Sequence, residues 1–326
     1  MTHAIRVHKL GGPEVLTYEK VELGEPGPGE AKIRQEAIGL NFLDTLFRTG
    51  TGVYKASSMP FTPGNEGAGV VLSIGPGVTN VKPGDRVAYV VTLGAYAEER
   101  IVRADRLVLV PDGIDLKTAA SVMLKGMTVQ YLLRRTFPVK KGDTILFHAA
   151  AGGVGLIAGQ WAKHLGATVI GTASSPEKIE LAKANGYDHV INYRTENFVE
   201  RVKALTGGQG VEVVYDSVGK DTFPGSLDVL KPLGMFVSFG LSSGPIPPFD
   251  ISLLQQKGSL FATRPTLNTY IASQEDLQAT AKDLFSIIES GVVSVHINQT
   301  YPLKDAAQAH SDLESRKTTG TTVLIP

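Results

Sequence analysis

A glycine turn between a short apolar strand and a helix restricts this fold more than any other feature of the chain. Thr144-Ile145-Leu146-Phe147-His148 reads as a strand, and Ala150-Ala151-Gly152-Gly153-Val154-Gly155 follows it. Residues 154–165 then read as a helix closed by Gly166, and Thr168-Val169-Ile170-Gly171-Thr172 as the next strand. Strand, tight turn, helix and second strand in this order form the unit that binds a dinucleotide phosphate at the edge of a parallel sheet. Gly152 and Gly153 let the main chain approach a pyrophosphate, and Gly155 lets helix and strand pack closely. The helix N-terminus offers unpaired N–H groups and a positive dipole end. Ala150 stands where the strict GxGxxG motif has its first glycine, so the surrounding pattern carries the argument.

That pattern extends to both sides. Ser175 caps a helix that has Pro176 at its first position and ends at Gly186. Strands are expected at residues 189–193, 211–216, 235–239 and 260–263, with a helix at 198–205. Strands alternating with helices of about 10–15 residues predict a doubly wound parallel sheet, a Rossmann domain. Before residue 115 the texture differs. Short runs such as Ala31-Lys32-Ile33-Arg34-Gln35 and Arg86-Val87-Ala88-Tyr89-Val90 alternate with turns at Pro26-Gly27-Pro28-Gly29 and Lys82-Pro83-Gly84-Asp85. These predict a β-rich module of barrel or sandwich type. The tail, with helices near 276–289 and 304–313 and a last strand at 322–325, is expected to return to the first domain. The fold class is therefore α/β, with domains expected at 1–122 plus 266–326 and at 123–265.

Composition narrows the chemistry. The 326 residues contain no cysteine, which removes disulfides, a cysteine nucleophile and thiolate metal sites, and suits a cytoplasmic protein. Acidic and basic residues balance at 32 each, so no net charge draws the chain to nucleic acid or an anionic membrane. The first residues lead to no expectation of a signal peptide, and no apolar run approaches the roughly 20 residues of a membrane span.

The end of the second Rossmann strand chooses the cofactor. NAD enzymes place an acid there for the ribose 2′-hydroxyl. This chain reads Thr172-Ala173-Ser174-Ser175-Pro176-Glu177-Lys178. Ser174 can donate to a 2′-phosphate and Lys178 stands a helical turn further on, so NADPH is expected over NADH. Tyr193, at the end of the third strand, is a candidate for the adenine-ribose side.

Further segments resemble a known family. Leu40-Asn41-Phe42-Leu43-Asp44, Pro63-Gly64-Asn65-Glu66-Gly67-Ala68-Gly69-Val70-Val71, Gly12-Pro13-Glu14-Val15-Leu16 and Val211-Glu212-Val213-Val214-Tyr215-Asp216-Ser217-Val218-Gly219 look like the medium-chain dehydrogenase/reductase superfamily. Within it they are most similar to the zinc-free quinone oxidoreductase, zeta-crystallin-like branch, over the whole length. The resemblance implies a GroES-like catalytic domain beside the Rossmann domain, and a homodimer, with the edge strand at 259–263 pairing with its two-fold copy. Where zinc-dependent relatives carry ligands, Asn41 replaces the first cysteine, Asn65 the histidine and Lys125 the second cysteine. Two amides and an ammonium cannot hold zinc.

Without a metal, negative charge on the acceptor oxygen must be met by hydrogen-bond donors. The resemblance implies Asn41, Tyr54 and Lys125 as these catalytic residues. Asn65 and Glu66 are expected to be structural, His148 to be a packed strand residue, and Trp161 core. Cofactor contacts are expected from Asn41, Lys125, Thr128, Ala151, Gly152, Gly153, Val154, Gly155, Ser174, Lys178, Tyr193, Ser217, Phe239, Gly240, Leu241 and Arg264. Thr321 stands where the family's C-terminal motif usually has lysine. The expected activity is NADPH-dependent reduction of a small quinone. The alternatives are reduction of an enone or enoyl compound and, in another class, a non-catalytic NADPH-binding crystallin-like or RNA-binding protein.

Overall fold

A computed structural model describes residues 1–326. In chain order the elements begin with β1 (Thr2–Val7), β2 (Leu16–Val21), β3 (Glu30–Leu40), α1 (Phe42–Thr49), β4 (Glu66–Ile74), β5 (Arg86–Val90), β6 (Glu99–Arg103), β7 (Val108–Leu109) and α2 (Leu116–Tyr131). There follow β8 (Thr144–Phe147), α3 (Gly153–His164), β9 (Thr168–Ala173), α4 (Pro176–Ala184), β10 (His189–Asn192), α5 (Phe198–Leu205), β11 (Val211–Asp216), α6 (Gly225–Asp228) and β12 (Leu230–Ser238). The last are α7 (Ser252–Gln256), β13 (Phe261–Thr263), α8 (Leu267–Tyr270), α9 (Gln274–Glu289), β14 (Ile297–Pro302), α10 (Ala306–Glu314) and β15 (Thr321–Ile325). No helix is long and apolar enough to cross a membrane.

The first compact unit comprises Met1–Met127, Ile271–Glu289 and Val295–Pro326; the second comprises Thr128–Tyr270 and Ser290–Ser294. Lys125 belongs to the first unit. The physical reason is on α2. A Cβ at Gly126 would run into Leu284 of α9, so the absence of a side chain seats this turn of α2 against α9 within the first unit.

The sheet of the first unit runs β14-β15-β3-β4-β5-β7, with β6 also paired to β3. β3 is its axis. Ala31, Ile33, Gln35 and Ala37 alternate inward at the period of a strand with one wet face. From Ala37 to Leu40 every residue is buried, and here both faces are covered. Ile33, Ile38, Val71, Val87, Tyr89 and Leu324 build the core around it, at about 1.5–3 kcal/mol for each large side chain removed from water.

The sheet of the second unit runs β10-β9-β8-β11-β12-β13, and every neighbouring pair is parallel. In order of appearance this is 3-2-1-4-5-6, the doubly wound Rossmann order, whose direction of winding reverses between β8 and β11. Leu146, Ile170, Val214 and Phe236 are buried within it, as strands covered on both faces require. β12 begins at Leu230, earlier than the strand expected from residue 235. Its first half passes through Pro232 and through Leu233 at φ 64°, with a register shift against β11. That irregularity hides a strand from period counting.

Candidate active site

In the first unit, β3 and β4 run antiparallel, with Ile38 opposite Gly67. The end of β3 therefore lies beside the start of β4, and Asn41 comes near Asn65 and Glu66. Asn41 leaves β3 in extended geometry and caps α1, where its N–H donates to Asp44 Oδ2 at 2.9 Å. A Cβ on Gly39 would collide with the Glu66 carboxylate and the Ala120 carbonyl, so glycine at that position lets α2 and Glu66 close on the strand.

Two buried carboxylates organise the cluster. Glu66 Oε1 accepts from Lys125 Nζ at 2.9 Å and Asn41 Nδ2 at 2.7 Å, and its Oε2 from the Leu124 N–H at 2.6 Å. Lys125 Nζ also donates to the Leu40 carbonyl at 3.2 Å. Asp44, fully buried, accepts from Asn65 Nδ2 at 2.8 Å, the Asn41 N–H and the Tyr96 hydroxyl at 3.1 Å. Burial pushes its carboxyl up to about 6, against the lowering effect of those three hydrogen bonds.

The three positions where relatives hold zinc are thus brought together through Glu66 and Asp44. A carboxylate and a carbonyl only accept, so the amide nitrogen of Asn41 must face Glu66 Oε1 and the Gly39 carbonyl, which lies 3.4 Å away. Both its N–H bonds are spent. Its side chain also meets the Asp44 N–H in the capping box that starts α1. Lys125 uses two of its three protons on Glu66 and Leu40 and keeps one. Tyr54 packs edge-on against Phe47, with 5.8 Å between ring centroids, and its hydroxyl is not part of the Glu66–Asp44 cluster. The hubs Glu66 and Asp44 were not singled out as chemical residues in the sequence. The one local signal was Asp44 three residues after the capping Asn41.

In the second unit, α3 begins at Gly153 with no side chain capping it, and Gly152 at its N-cap is exposed. Its first N–H groups therefore face outward without an intrahelical partner. A Cβ on Gly155 would stand 2.5 Å from the carbonyl oxygens of Ala149 and Ala150, so helix and turn meet without room for a side chain. Ala150 is tolerated in place of glycine because Gly171 stands opposite; a Cβ there would come within 2.7 Å of that of Ala150. An open, uncapped helix N-terminus over a glycine turn fits a pyrophosphate. Ala151 is buried beneath it, and Val154 is half-buried on the first turn.

Ser174 follows β9, and Lys178 lies on the first turn of α4, its N–H 3.4 Å from Ser175 Oγ. Both side chains are half-buried. The N–H of Tyr193, an exposed residue, bonds the Ala173 carbonyl at 3.2 Å and so brings Tyr193 beside Ser174. Across the switch point, Asp216 accepts from the N–H groups of Val218 and Gly219 at 2.7 and 2.9 Å and fixes the Ser217 turn. The N–H of Phe239 bonds the Asp216 carbonyl at 2.8 Å, which sets Phe239, Gly240 and Leu241 against Ser217. Arg264 holds this turn from below, donating to Ser238 Oγ at 2.9 Å and the Gly240 carbonyl at 3.1 Å. Thr128 is buried on α2. His148 and Trp161 are each 1% exposed; His148 lies between Thr172 Oγ1 and Ser226 Oγ. Thr321 turns its hydroxyl to the His296 carbonyl at 2.7 Å, as a packed strand residue does.

No group of three or more His, Asp or Glu side chains is arranged to hold a metal ion. Comparison with known proteins adds to these observations. The alcohol dehydrogenase GroES-like domain family matches residues 27–112, and the zinc-binding dehydrogenase family residues 153–286. The chain is 53% identical to a quinone oxidoreductase of Pseudomonas aeruginosa, over the full length of both. It is 46% identical to a 2-haloacrylate reductase of Burkholderia sp, over all of this chain and 99% of that one. Its fold matches that of Escherichia coli quinone oxidoreductase complexed with NADPH at a TM-score of 0.97 and 49% identity, over 99% of this chain and all of the other.

Proposed function

The chain belongs to the zinc-free quinone oxidoreductase branch of the medium-chain dehydrogenase/reductase superfamily, and on that footing we propose that it reduces small quinones with NADPH. The observation that carries this reading is the buried Lys125–Glu66 pair with one ammonium proton to spare, set among amides where relatives hold zinc. Asn41, Asn65 and Lys125 are no donor set for zinc, so no step runs through a metal.

NADPH, when bound, supplies the hydride. The chain's own residues bind it, orient it and stabilise charge. The open N-terminus of α3 with Gly152, Gly153 and Gly155 takes the pyrophosphate. Ser174 and Lys178 take the 2′-phosphate, and Tyr193 lies beside the adenine end. Ser217, Phe239, Gly240 and Leu241, braced by Arg264, line the nicotinamide side. Asn41 meets the nicotinamide ribose or the acceptor. Hydride arriving at a quinone puts one negative charge on oxygen, and the remaining Lys125 proton meets it, with the Tyr54 hydroxyl as a second donor. Glu66 fixes the ammonium, so little reorganisation accompanies the charge. Solvent supplies the last proton, since a hydroquinone anion is a far weaker base than an alkoxide.

The same reading makes the protein a cytoplasmic homodimer. β13 is an edge strand with Phe261 57% exposed. An apolar edge of this kind is covered or aggregates, and a two-fold copy would cover it. Changing Phe261→Lys should leave monomers in sedimentation analysis, and a dimer that survives would remove β13 from the interface.

The deciding experiment follows oxidation of NADPH with a small quinone, a medium-chain enone or 2-haloacrylate, and no acceptor, then repeats it with NADH and after chelation. Turnover that needs quinone, prefers NADPH and ignores the chelator supports the proposal. Turnover with the enone or haloacrylate alone would replace quinone as the substrate.

A further inference from the structure

Behind Asn41 and Asn65 a file of polar groups runs through the first unit to solvent. Glu314, about a third exposed, accepts from Arg48 Nη2 at 2.7 Å. Arg48, which is 1% exposed, places Nη1 3.0 Å from His310 Nδ1. His310 Nε2 lies 2.9 Å from the Tyr96 hydroxyl, and that hydroxyl lies 3.1 Å from Asp44 Oδ2. The directions follow from chemistry. A guanidinium only donates, so His310 Nδ1 must carry a lone pair and a neutral ring has its proton on Nε2. Tyr96 accepts that proton's bond and turns its own toward Asp44. Burial and the neighbouring Arg48 charge hold His310 down to about 3, so its ring is neutral at working pH.

We propose that Tyr96 and His310 are positioning residues of the reductase site: they pass the field of Arg48 to Asp44, keep its carboxylate ionised, and so hold the Asn65 amide and the Asn41 main chain in the arrangement that leaves Lys125 as donor. The proposal rests on the quinone reductase reading for what the site does. Asp44 is faced by Glu66 of β4, by Tyr96 and Tyr89, and beyond Tyr96 by His310 of α10 and Arg48 of its own helix, which both face the Tyr96 side. Lys125 of α2 stands across Glu66, and Arg100 of β6 over the Tyr89 ring. Protonation at Asp44 Oδ2 is blocked, because Tyr96 would have to hand its proton to a His310 nitrogen that already carries one. The proton must enter at Oδ1, and Asn65 must then turn its amide. The site therefore loses its order in acid.

The test is the pH profile of kcat/KM for the intact enzyme with NADPH and a small quinone. Tyr96→Phe and His310→Leu should move the acid limb up by about one pH unit, an effect of roughly tenfold on the limb, with little change on the plateau. His310→Gln, whose Oε1 can accept from Arg48 while its Nε2 donates to Tyr96, should keep the wild-type profile. Superposed profiles, or a Gln variant that behaves like the Leu variant, would overturn the proposal. If His310→Leu does not fold, Tyr96→Phe, which lacks only the hydroxyl, decides alone. A second readout needs no turnover: the infrared band of the protonated Asp44 carboxyl, assigned by its loss in Asp44→Asn, should appear at higher pH in Tyr96→Phe. An unshifted band sinks the relay even in an active enzyme. Inactivity of the wild type toward quinones sinks only the functional reading.

Discussion

Lys125 and Glu66 form an ion pair almost wholly out of water, so each depends on the other. Replacing Lys125 by Met should lower kcat by about a hundredfold, the cost of one oriented donor at a developing oxyanion. It should also cost about 3–5 kcal/mol of stability, because Glu66 is left as an unpaired buried charge. Adding Glu66→Gln separates the two effects: urea titration should recover most of the stability while turnover stays low. At the other end of the cofactor, Ser174→Asp sets a carboxylate against a 2′-phosphate. The KM for NADPH should rise at least about tenfold, with that for NADH changed little, and equal effects on both would show that Ser174 does not meet the phosphate. Residues in local motifs, such as the glycines of the turn and the serine cap of α4, were legible from the sequence. Glu66 and Asp44 were not legible as hubs, because their partners stand 59 and 52 residues away, at Lys125 and Tyr96. Nor could spacing show that Glu66 claims the amide nitrogen of Asn41.

The elements were read more easily, because hydrophobic period and punctuation are local. α4 starts at Pro176 behind Ser175, and α5 and β11 have the limits expected of them. β12 escaped in its first half, where Pro232 and the positive φ of Leu233 break the alternation. One tight fit between elements is α3 on the turn that follows β8. Gly155→Ala would press a methyl group 2.5 Å from two carbonyl oxygens that belong to main chain and cannot swing away. The expected result is a loss of about 1–3 kcal/mol in thermal unfolding together with weaker NADPH binding in a fluorescence titration. A variant that keeps both would show that α3 can lift from the turn without harm.

At the scale of the molecule, acid acts on His310 and Asp44 of the buried file in opposite senses. His310 titrates near 3 in the folded chain against 6.5 when unfolded, so its contribution is complete above 6.5 and is lost as pH falls toward 3. Asp44 titrates near 6 against 3.8, so the folded state takes up its proton first and is favoured as pH falls from 6 toward 3.8. The histidine effect is the larger. Urea midpoints of the wild type should therefore fall faster below about pH 6.5 than those of His310→Gln, the gap widening to a few kcal/mol near the folded pKa of His310; parallel curves would place His310 in water. The return of the tail to the first unit has a consequence for how the molecule is born. β15 pairs with β3 through Thr322 opposite Leu40, the residue before Asn41. The strand that seals that edge is made only after the ribosome has finished every strand of the nucleotide-binding sheet. A newborn chain thus gains the means to hold its reductant before it has anywhere to spend it.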